Sequence, residues 1–243
     1  MNLKPLYYPE SRFAGFSDVD GTITFYNRVN ALIRPSNVVV DIGCGRGAYG
    51  DDPIGYRRRL RILKGKCQSV IGVDVDLGAE QNPFIDEFRC ITAPRWPVES
   101  RSIDLCVSDN VLEHIQDPQD FFAEVQRILK PGGFICIRTP NVWSYFGLVS
   151  KLVPNRRHTD VLEKVKDRLS PQDVFPTLYR CNTIGCIRKS LQEHGFEHTV
   201  YGYDAEPSYL SFSRWLYFLG VLHQRFAPQI FKVGIHAFGR KLT

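Results

Sequence analysis

The sequence predicts an α/β protein, a doubly wound and mostly parallel sheet with helices on both faces, extended by an N-terminal helix and an inserted lid. Three observations predict it. From residue 35 onward, short runs rich in Val and Ile alternate with amphipathic helical patterns. The first of these runs, "NVVVDI", leads directly into a glycine loop, "GCGRG". The 243 residues hold no internal repeat and no low-complexity stretch, and that length suits one sizeable core.

The elements follow in order. Phe25, Tyr26, Val29, Leu32 and Ile33 fall on one face of a helix that Asp20 or Thr22 would cap. After Pro35, "NVVVDI" reads as a fully buried strand, and a basic helix over "YRRRLRILKGK" follows its glycine loop. "SVIGVD", "FRCI" and "IDLCVS" are the next three strands. "DPQDFFAEVQRIL" opens a helix with Asp117 as N-cap and Pro118 in the first position, and buries Phe121, Phe122, Val125, Ile128 and Leu129. "PGG" turns the chain into a fifth strand, "FICIRTP". Residues 141–181 interrupt the rhythm as a proline- and charge-containing insertion. The rhythm resumes with a helix over "NTIGCIRKSLQEHGF", ended by Gly195, and a strand, "HTVYGY". An aromatic helix over residues 208–226 and a last strand, "VGIHAFGRK", complete the pattern. This divides the chain into a substrate-covering segment, 1–34, and a single domain, 35–243.

Composition narrows the class. With 43% hydrophobic and 23% charged residues the chain is expected to be soluble and globular. No apolar stretch reaches membrane-spanning length, and the first ten residues lack the long apolar region of a signal peptide. Seven cysteines form an odd set with no Cys-x-x-Cys spacing, and Cys90, Cys106 and Cys136 lie in apolar runs. A cytoplasmic location without a zinc site is expected. No His/Asp/Glu set has metal-ligand spacing, so no metal is expected. The net charge of +5 is mild, and its densest cluster, residues 56–66, reads first as the solvated face of a helix, with a nucleic-acid patch as the alternative.

One stretch points elsewhere. "FSDVDGTITFY" carries Asp18-Val19-Asp20-Gly21-Thr22, the aspartate pair of haloacid-dehalogenase-type phosphatases. That nucleophile belongs at the end of a buried strand, whereas "DVDGT" falls at a helix start and "SRFAGFS" before it is no strand. Asp51 and Asp52 follow too soon for a separate strand-helix unit to intervene. The phosphatase reading is set aside, and "DVDGT" starts the helix that covers the site.

The glycine loop decides the class. In open α/β sheets ligands sit beyond the carboxyl ends of the strands, beside the first one. Gly45-x-Gly47-x-x-Gly50 formally matches the dinucleotide fingerprint, which alone is weak. Asp41 separates the readings: a carboxylate at the strand end would repel a pyrophosphate and suits a ligand carrying positive charge. S-adenosylmethionine carries an ammonium and a sulfonium.

From these residues the chain resembles the class I S-adenosylmethionine-dependent methyltransferases, in the group acting on small molecules. "VVVDIGCGRG" is similar to that family's first motif and "VIGVDVD" to its second; "SIDLCVSDNVLEHIQDP" and "LKPGGFICIRTPN" resemble the segments around strands four and five. The resemblance covers roughly residues 30–200. It implies a Rossmann-like sheet with an antiparallel last strand, and S-adenosylmethionine as cofactor. Gly43, Cys44, Gly45 and Gly47 would pass under the methionine part, with Asp41 close to its amino group. Asp74 would accept from both ribose hydroxyls, with Val75 beside it, while Asp76 reads as a helix cap. Where the family often places an acid for adenine, this chain has Thr92 and Ala93, leaving their backbone to serve. Asp109 and Asn110 would form the floor between cofactor and substrate.

Methyl transfer to a hydroxyl needs a base, and His114, just beyond strand four, and His158, in the insertion, are the candidates. The acceptor would be small and hydrophobic or aromatic, held by Tyr7, Tyr8, Phe13, Phe16, Trp143, Tyr145 and Tyr179, with oxygen preferred. Alternatives are a nucleic-acid or protein acceptor, with "RRRLR" and "NRRH" as footholds, or a cofactor-binding module without catalysis. The aromatic stripe of residues 208–226 would be buried against the sheet or a second copy of the chain, or make peripheral membrane contact.

Overall fold

A computed structural model describes residues 3–145 and 176–243. Seven strands form one sheet: β1 (Val38–Ile42), β2 (Ser69–Asp74), β3 (Glu87–Cys90), β4 (Ile103–Asp109), β5 (Leu129–Pro140), β6 (Phe196–Tyr203) and β7 (Gly234–Lys241). Their order is β3-β2-β1-β4-β5-β7-β6. The pairs from β3 through β5 are parallel, and β7 runs antiparallel to both β5 and β6. The order reverses between β1 and β4, so their carboxyl ends diverge and leave a crevice there.

The described helices are α1 (Lys4–Tyr7), α2 (Gly21–Leu32), α3 (Gly55–Arg61), α4 (Pro118–Ile128), α5 (Ile184–Glu193) and α6 (Arg214–Phe226). Because side chains alternate along a strand, Val39 and Val40 of β1 enter opposite layers. Val40 packs with Phe122 and Ile128 of α4 and Leu191 of α5. Val39 packs with Phe25, Tyr26 and Val29 of α2. Both faces are covered, which explains why β1 reads as an apolar run interrupted by Asp41 alone. Both predicted caps form: Asp20 accepts from the backbone of Thr22 and Ile23 at 3.0 and 2.9 Å, and Asp117 accepts from Gln119 and Asp120.

Three boundaries differ from expectation. "PGG" lies inside β5 as an excursion, because Ile103 pairs with Leu129 while Leu105 pairs with Phe134, and Gly132 takes a φ of 79° there. The basic helix stops at Arg61. The aromatic helix begins only at Arg214, where the Ser213 hydroxyl accepts from the Leu216 N–H, and residues 208–210 form a separate turn. His158 and most of the expected insertion lie outside the described residues. Among the described residues no helix is long and apolar enough to cross a membrane.

Candidate active site

The glycine loop turns sharply beyond β1 and is held by backbone. The Gly43 N–H donates to Val73 of β2 at 2.7 Å. Gly43 takes a φ of +65°, and a Cβ there would stand 2.5 Å from Val111, so only glycine fits. Gly45, at a φ of +51°, has nothing within 4 Å of where a Cβ would lie: the loop's backbone is bared to an open space. Its N–H donates to Asp74 Oδ2 at 3.0 Å, while Asp74 Oδ1 accepts from the Asp76 N–H at 3.0 Å. From below, the buried Asn82 amide donates to the carbonyls of Cys44 and Gly45, at 2.9 and 3.1 Å. The Cys44 side chain turns into the core beneath Gly72, and burial raises its thiol pKa, so this residue offers the site backbone only.

Three carboxylates lie at the carboxyl ends of neighbouring strands: Asp41, next to last in β1, and Asp74 and Asp109, the last residues of β2 and β4. Asp109 is neutralised: Arg138 grips it bidentately, Nε to Oδ1 at 2.6 Å and Nη2 to Oδ2 at 2.8 Å, and the Tyr26 hydroxyl donates to it at 3.0 Å. Arg61 approaches at 3.5 Å. These cations hold the Asp109 carboxyl below its usual range despite burial. Asp41 has less relief, from Arg61 alone and without a hydrogen bond. Among the described residues nothing donates a hydrogen bond to its carboxylate, and burial, then Asp109 and Asp74, push it up to about 7. Ionising Asp41 would give the pocket a third carboxylate against the two guanidinium groups of Arg138 and Arg61. An ammonium or sulfonium would correct that, and a pyrophosphate would worsen it.

Next to Asp74, Val75 (61% exposed) and Leu77 (68%) show apolar side chains at the surface, a suitable floor for a flat heterocycle. Thr92 and Ala93 lie exposed in the loop after β3, whose first residue, Ile91, donates its N–H to the carbonyl of Asp74. The residues present therefore fit S-adenosylmethionine: Asp41 for its cationic amino acid end, bare glycine backbone beneath, Asp74 for ribose hydroxyls and an apolar floor for adenine.

The family description "Methyltransferase domain" matches residues 40–137, the span that holds this cradle. The chain carries a class I S-adenosylmethionine-dependent methyltransferase domain. A probable S-adenosylmethionine-dependent methyltransferase of Mycolicibacterium smegmatis is 32% identical over 108 residues, 42% of this chain and 38% of that protein. A ubiquinone biosynthesis O-methyltransferase of Parvibaculum lavamentivorans is 30% identical over 102 residues, 42% of this chain and 40% of its own length. The chain thus spans about two fifths of these relatives. A solved S-adenosylmethionine-dependent methyltransferase of Archaeoglobus fulgidus shares the fold, with a TM-score of 0.58 at 15% identity, covering 96% of this chain and 97% of that one.

In this methyltransferase domain, α2 lies over the carboxyl ends of β4 and β5. Thr22 accepts from Arg138 at 2.5 Å, and Tyr26 reaches Asp109. Arg57 of α3 ties the start of α2 down, reaching Asp20 at 2.9 Å and Asp52 at 2.5 Å. Arg61 lies over the Tyr49 ring at 4.7 Å. Two arginines of the cluster read as a solvated face therefore serve the site. Asn110, with a φ of 57°, is exposed beside Asp109, and its N–H donates to the Arg138 carbonyl.

Beyond β4, the buried Glu113 accepts from the Thr139 hydroxyl at 2.9 Å, and burial raises its pKa. Its neighbour His114 is half-buried, with Nδ1 3.0 Å from the Pro176 carbonyl. The aromatic residues expected to form one acceptor cavity separate into different places. Tyr7 packs against Tyr217 with the rings tilted and their centroids 5.5 Å apart, and Tyr8 joins the same cluster. Phe16 stacks on Tyr56, and Phe13 is 79% exposed. The Tyr179 N–H donates to the Glu113 carbonyl, and Trp143 and Tyr145 line a groove with α6. The sequence reading missed Arg138, Arg61, Tyr26 and Asn82. Only Arg138 had a signal, as one cation inside an apolar strand.

Proposed function

We propose that the protein transfers the methyl group of S-adenosylmethionine to a small, hydrophobic or aromatic acceptor, preferentially on oxygen. The observation that carries this is Asp41, a carboxylate without a donor beside bare glycine backbone. The cofactor, when bound, supplies an already activated methyl group. The protein is left to hold the acceptor atom in line and exclude water, and α2, latched through Tyr26 and Thr22, is placed to do both. A small acceptor is favoured over nucleic acid because Arg57 and Arg61 are engaged with carboxylates of the protein. The O-methyltransferase among the relatives supports oxygen.

A hydroxyl acceptor must lose a proton, and His114 is the proposed base. A carbonyl only accepts, so in the contact with Pro176 the hydrogen belongs on Nδ1, and proton abstraction would fall to Nε2. His114→Gln is expected to lower kcat by about 10²–10⁴-fold with cofactor affinity unchanged.

Isothermal titration with S-adenosylmethionine tests the cofactor site. Asp74→Ala should weaken binding by about 1–3 kcal/mol, since ribose hydroxyls and the Gly45 N–H lose a charged acceptor. Unchanged affinity would remove Asp74 from the site. Methyl uptake from labelled cofactor into fractionated metabolites tests the acceptor class, and uptake into RNA or protein alone would overturn it.

A further inference from the structure

Helix α6 turns its apolar side outward. Its packed side is narrow: Tyr217, Gly220 and Val221 are buried, and two of them join Leu3 and Tyr8 in a small cluster of their own. Gly220 lets the helix settle on the preceding turn, because a Cβ there would stand 2.7 Å from Pro207. At about 3.6 residues per turn, Trp215, Phe218, Leu219, Leu222 and Phe226 share the arc opposite those buried residues. Trp215 is 79% exposed and Phe226 76%, and Phe212, just before the helix, is 75% exposed. A surface helix of a soluble domain ordinarily shows the reverse arrangement. Single exposed leucines are common, but a contiguous arc with several aromatic rings marks a contact surface.

Charge argues for what covers it. From Pro207 to Thr243 the chain has no Asp or Glu, but it has Arg214, Arg225, Lys232, Arg240 and Lys241. Arg214 and Arg225 are exposed and lie on the same margin of the apolar arc, about three turns apart. The nearest preceding acids are buried and engaged, Asp204 with His223 and Lys232, and Glu206 with Lys4 and Ser17. A second copy docked face to face would confront these arginines with their like, and this segment offers no carboxylate in return. A surface of phosphates answers them. At 13 residues α6 is too short to cross a bilayer, so contact would be made lying flat.

We propose that α6 docks the protein on an anionic lipid surface, in the interfacial plane, with Trp215, Phe226 and Phe212 inserted and Arg214 and Arg225 at the phosphates. Leu222 and Phe226 also line a groove of about 470 Å³ with Trp143, Tyr145 and Phe231, which begins three residues beyond the end of β5. A lipophilic acceptor would enter the groove from the bilayer. That corollary rests on the acceptor class proposed above, and the docking does not.

The test is co-sedimentation of the full chain with vesicles of phosphatidylglycerol and phosphatidylcholine, against phosphatidylcholine alone, at low and at about 0.5 M salt. Binding to the anionic vesicles should be about tenfold stronger at low salt and fall with salt. The pair Trp215→Ser with Phe226→Ser should weaken it about tenfold or more, and the pair Arg214→Ser with Arg225→Ser should abolish the preference for anionic lipid. In a Trp143→Phe background, brominated acyl chains should quench Trp215 while Trp96, which is buried, stays bright. Circular dichroism and cofactor titration on each variant verify the fold and the cofactor site, so this inference and the methyltransferase reading fail separately. Protein left in the supernatant with anionic vesicles at low salt overturns the proposal. So does a concentration-dependent dimer that Trp215→Ser dissolves, which assigns the face to a second copy.

Discussion

At the carboxyl ends of β1 and β2 the functional groups are fixed by backbone N–H groups of the turns, whereas at those of β4 and β5 they are fixed by side chains of other elements. Asp41 stands two residues before Gly43, and Asp74 is fixed by the backbone N–H groups of Gly45 and Asp76. On the other side, Asp109 is held by the guanidinium of Arg138 and the hydroxyl of Tyr26, and Arg138 also reaches the Thr22 side chain across 116 residues. One half is shaped by turn geometry that a short motif encodes. The other is assembled by side chains whose partners no local pattern announces. A constant ligand can be held by the first kind of construction, and a variable one is better served by the second.

The comparison breaks most visibly at Arg138. Arg138→Met leaves the Asp109 carboxylate, 7% exposed, with its principal counterion gone. Unfolding in denaturant should show a loss of about 3–5 kcal/mol, and adding Asp109→Asn should return much of it. A loss below about 1 kcal/mol in the single variant would mean that Arg61 and Tyr26 suffice to hold Asp109.

The cofactor half is sharpened by pH. Asp41, raised from 3.8 to about 7, holds its proton in the folded, ligand-free protein over a range where the unfolded chain has lost it. Native protein therefore binds more protons between those values, and this group's contribution to stability falls as the pH climbs from about 4 to about 7. A cationic ligand favours the ionised carboxylate. S-adenosylmethionine binding should accordingly tighten as pH rises toward 7, by up to about tenfold per unit, and level off above it. Titration in buffers of different ionisation enthalpy should show proton release below pH 7, and Asp41→Asn should abolish both effects. A flat profile in the native protein would place the ligand's charge away from Asp41.

The smallest effect is expected at the start of α2. Asp20→Asn keeps a side chain that caps a helix, and Arg57 retains Asp52, so the melting transition should shift by an amount worth about 1 kcal/mol or less. A larger loss would show that the Arg57–Asp20 pair, rather than the cap, holds the covering helix down.

This contrast also explains what could be read in advance. Period-two and helical patterning placed the strands and most of the helices, because β1 and α4 each bury an apolar set. Asp41, Asp74 and the loop glycines were legible because each lies in a short motif at the end of an apolar strand. Arg61 looked like one more arginine in "RRRLR", and Tyr26 looked like core, because long-range hydrogen bonds leave no period in the chain. The stripe on α6 was visible, but its outward direction was not: helical spacing says that residues share a face and not which way the face turns.

The place of β7 in the sheet has a consequence for synthesis. β7 is hydrogen-bonded to β5 on one side and β6 on the other, although residues 234–241 follow both in the chain. A nascent chain that has emerged as far as residue 203 can already close the β3-β2-β1-β4-β5 half around its glycine loop, while one edge of β5 and the whole of β6 wait for a partner. Such edges invite mispairing with other chains, so this protein should depend on chaperones most during the interval before residue 234 emerges. Ribosome-bound chains stalled through a C-terminal spacer that fills the exit tunnel should bind chaperones more heavily when truncated at residue 205 than when they carry β7.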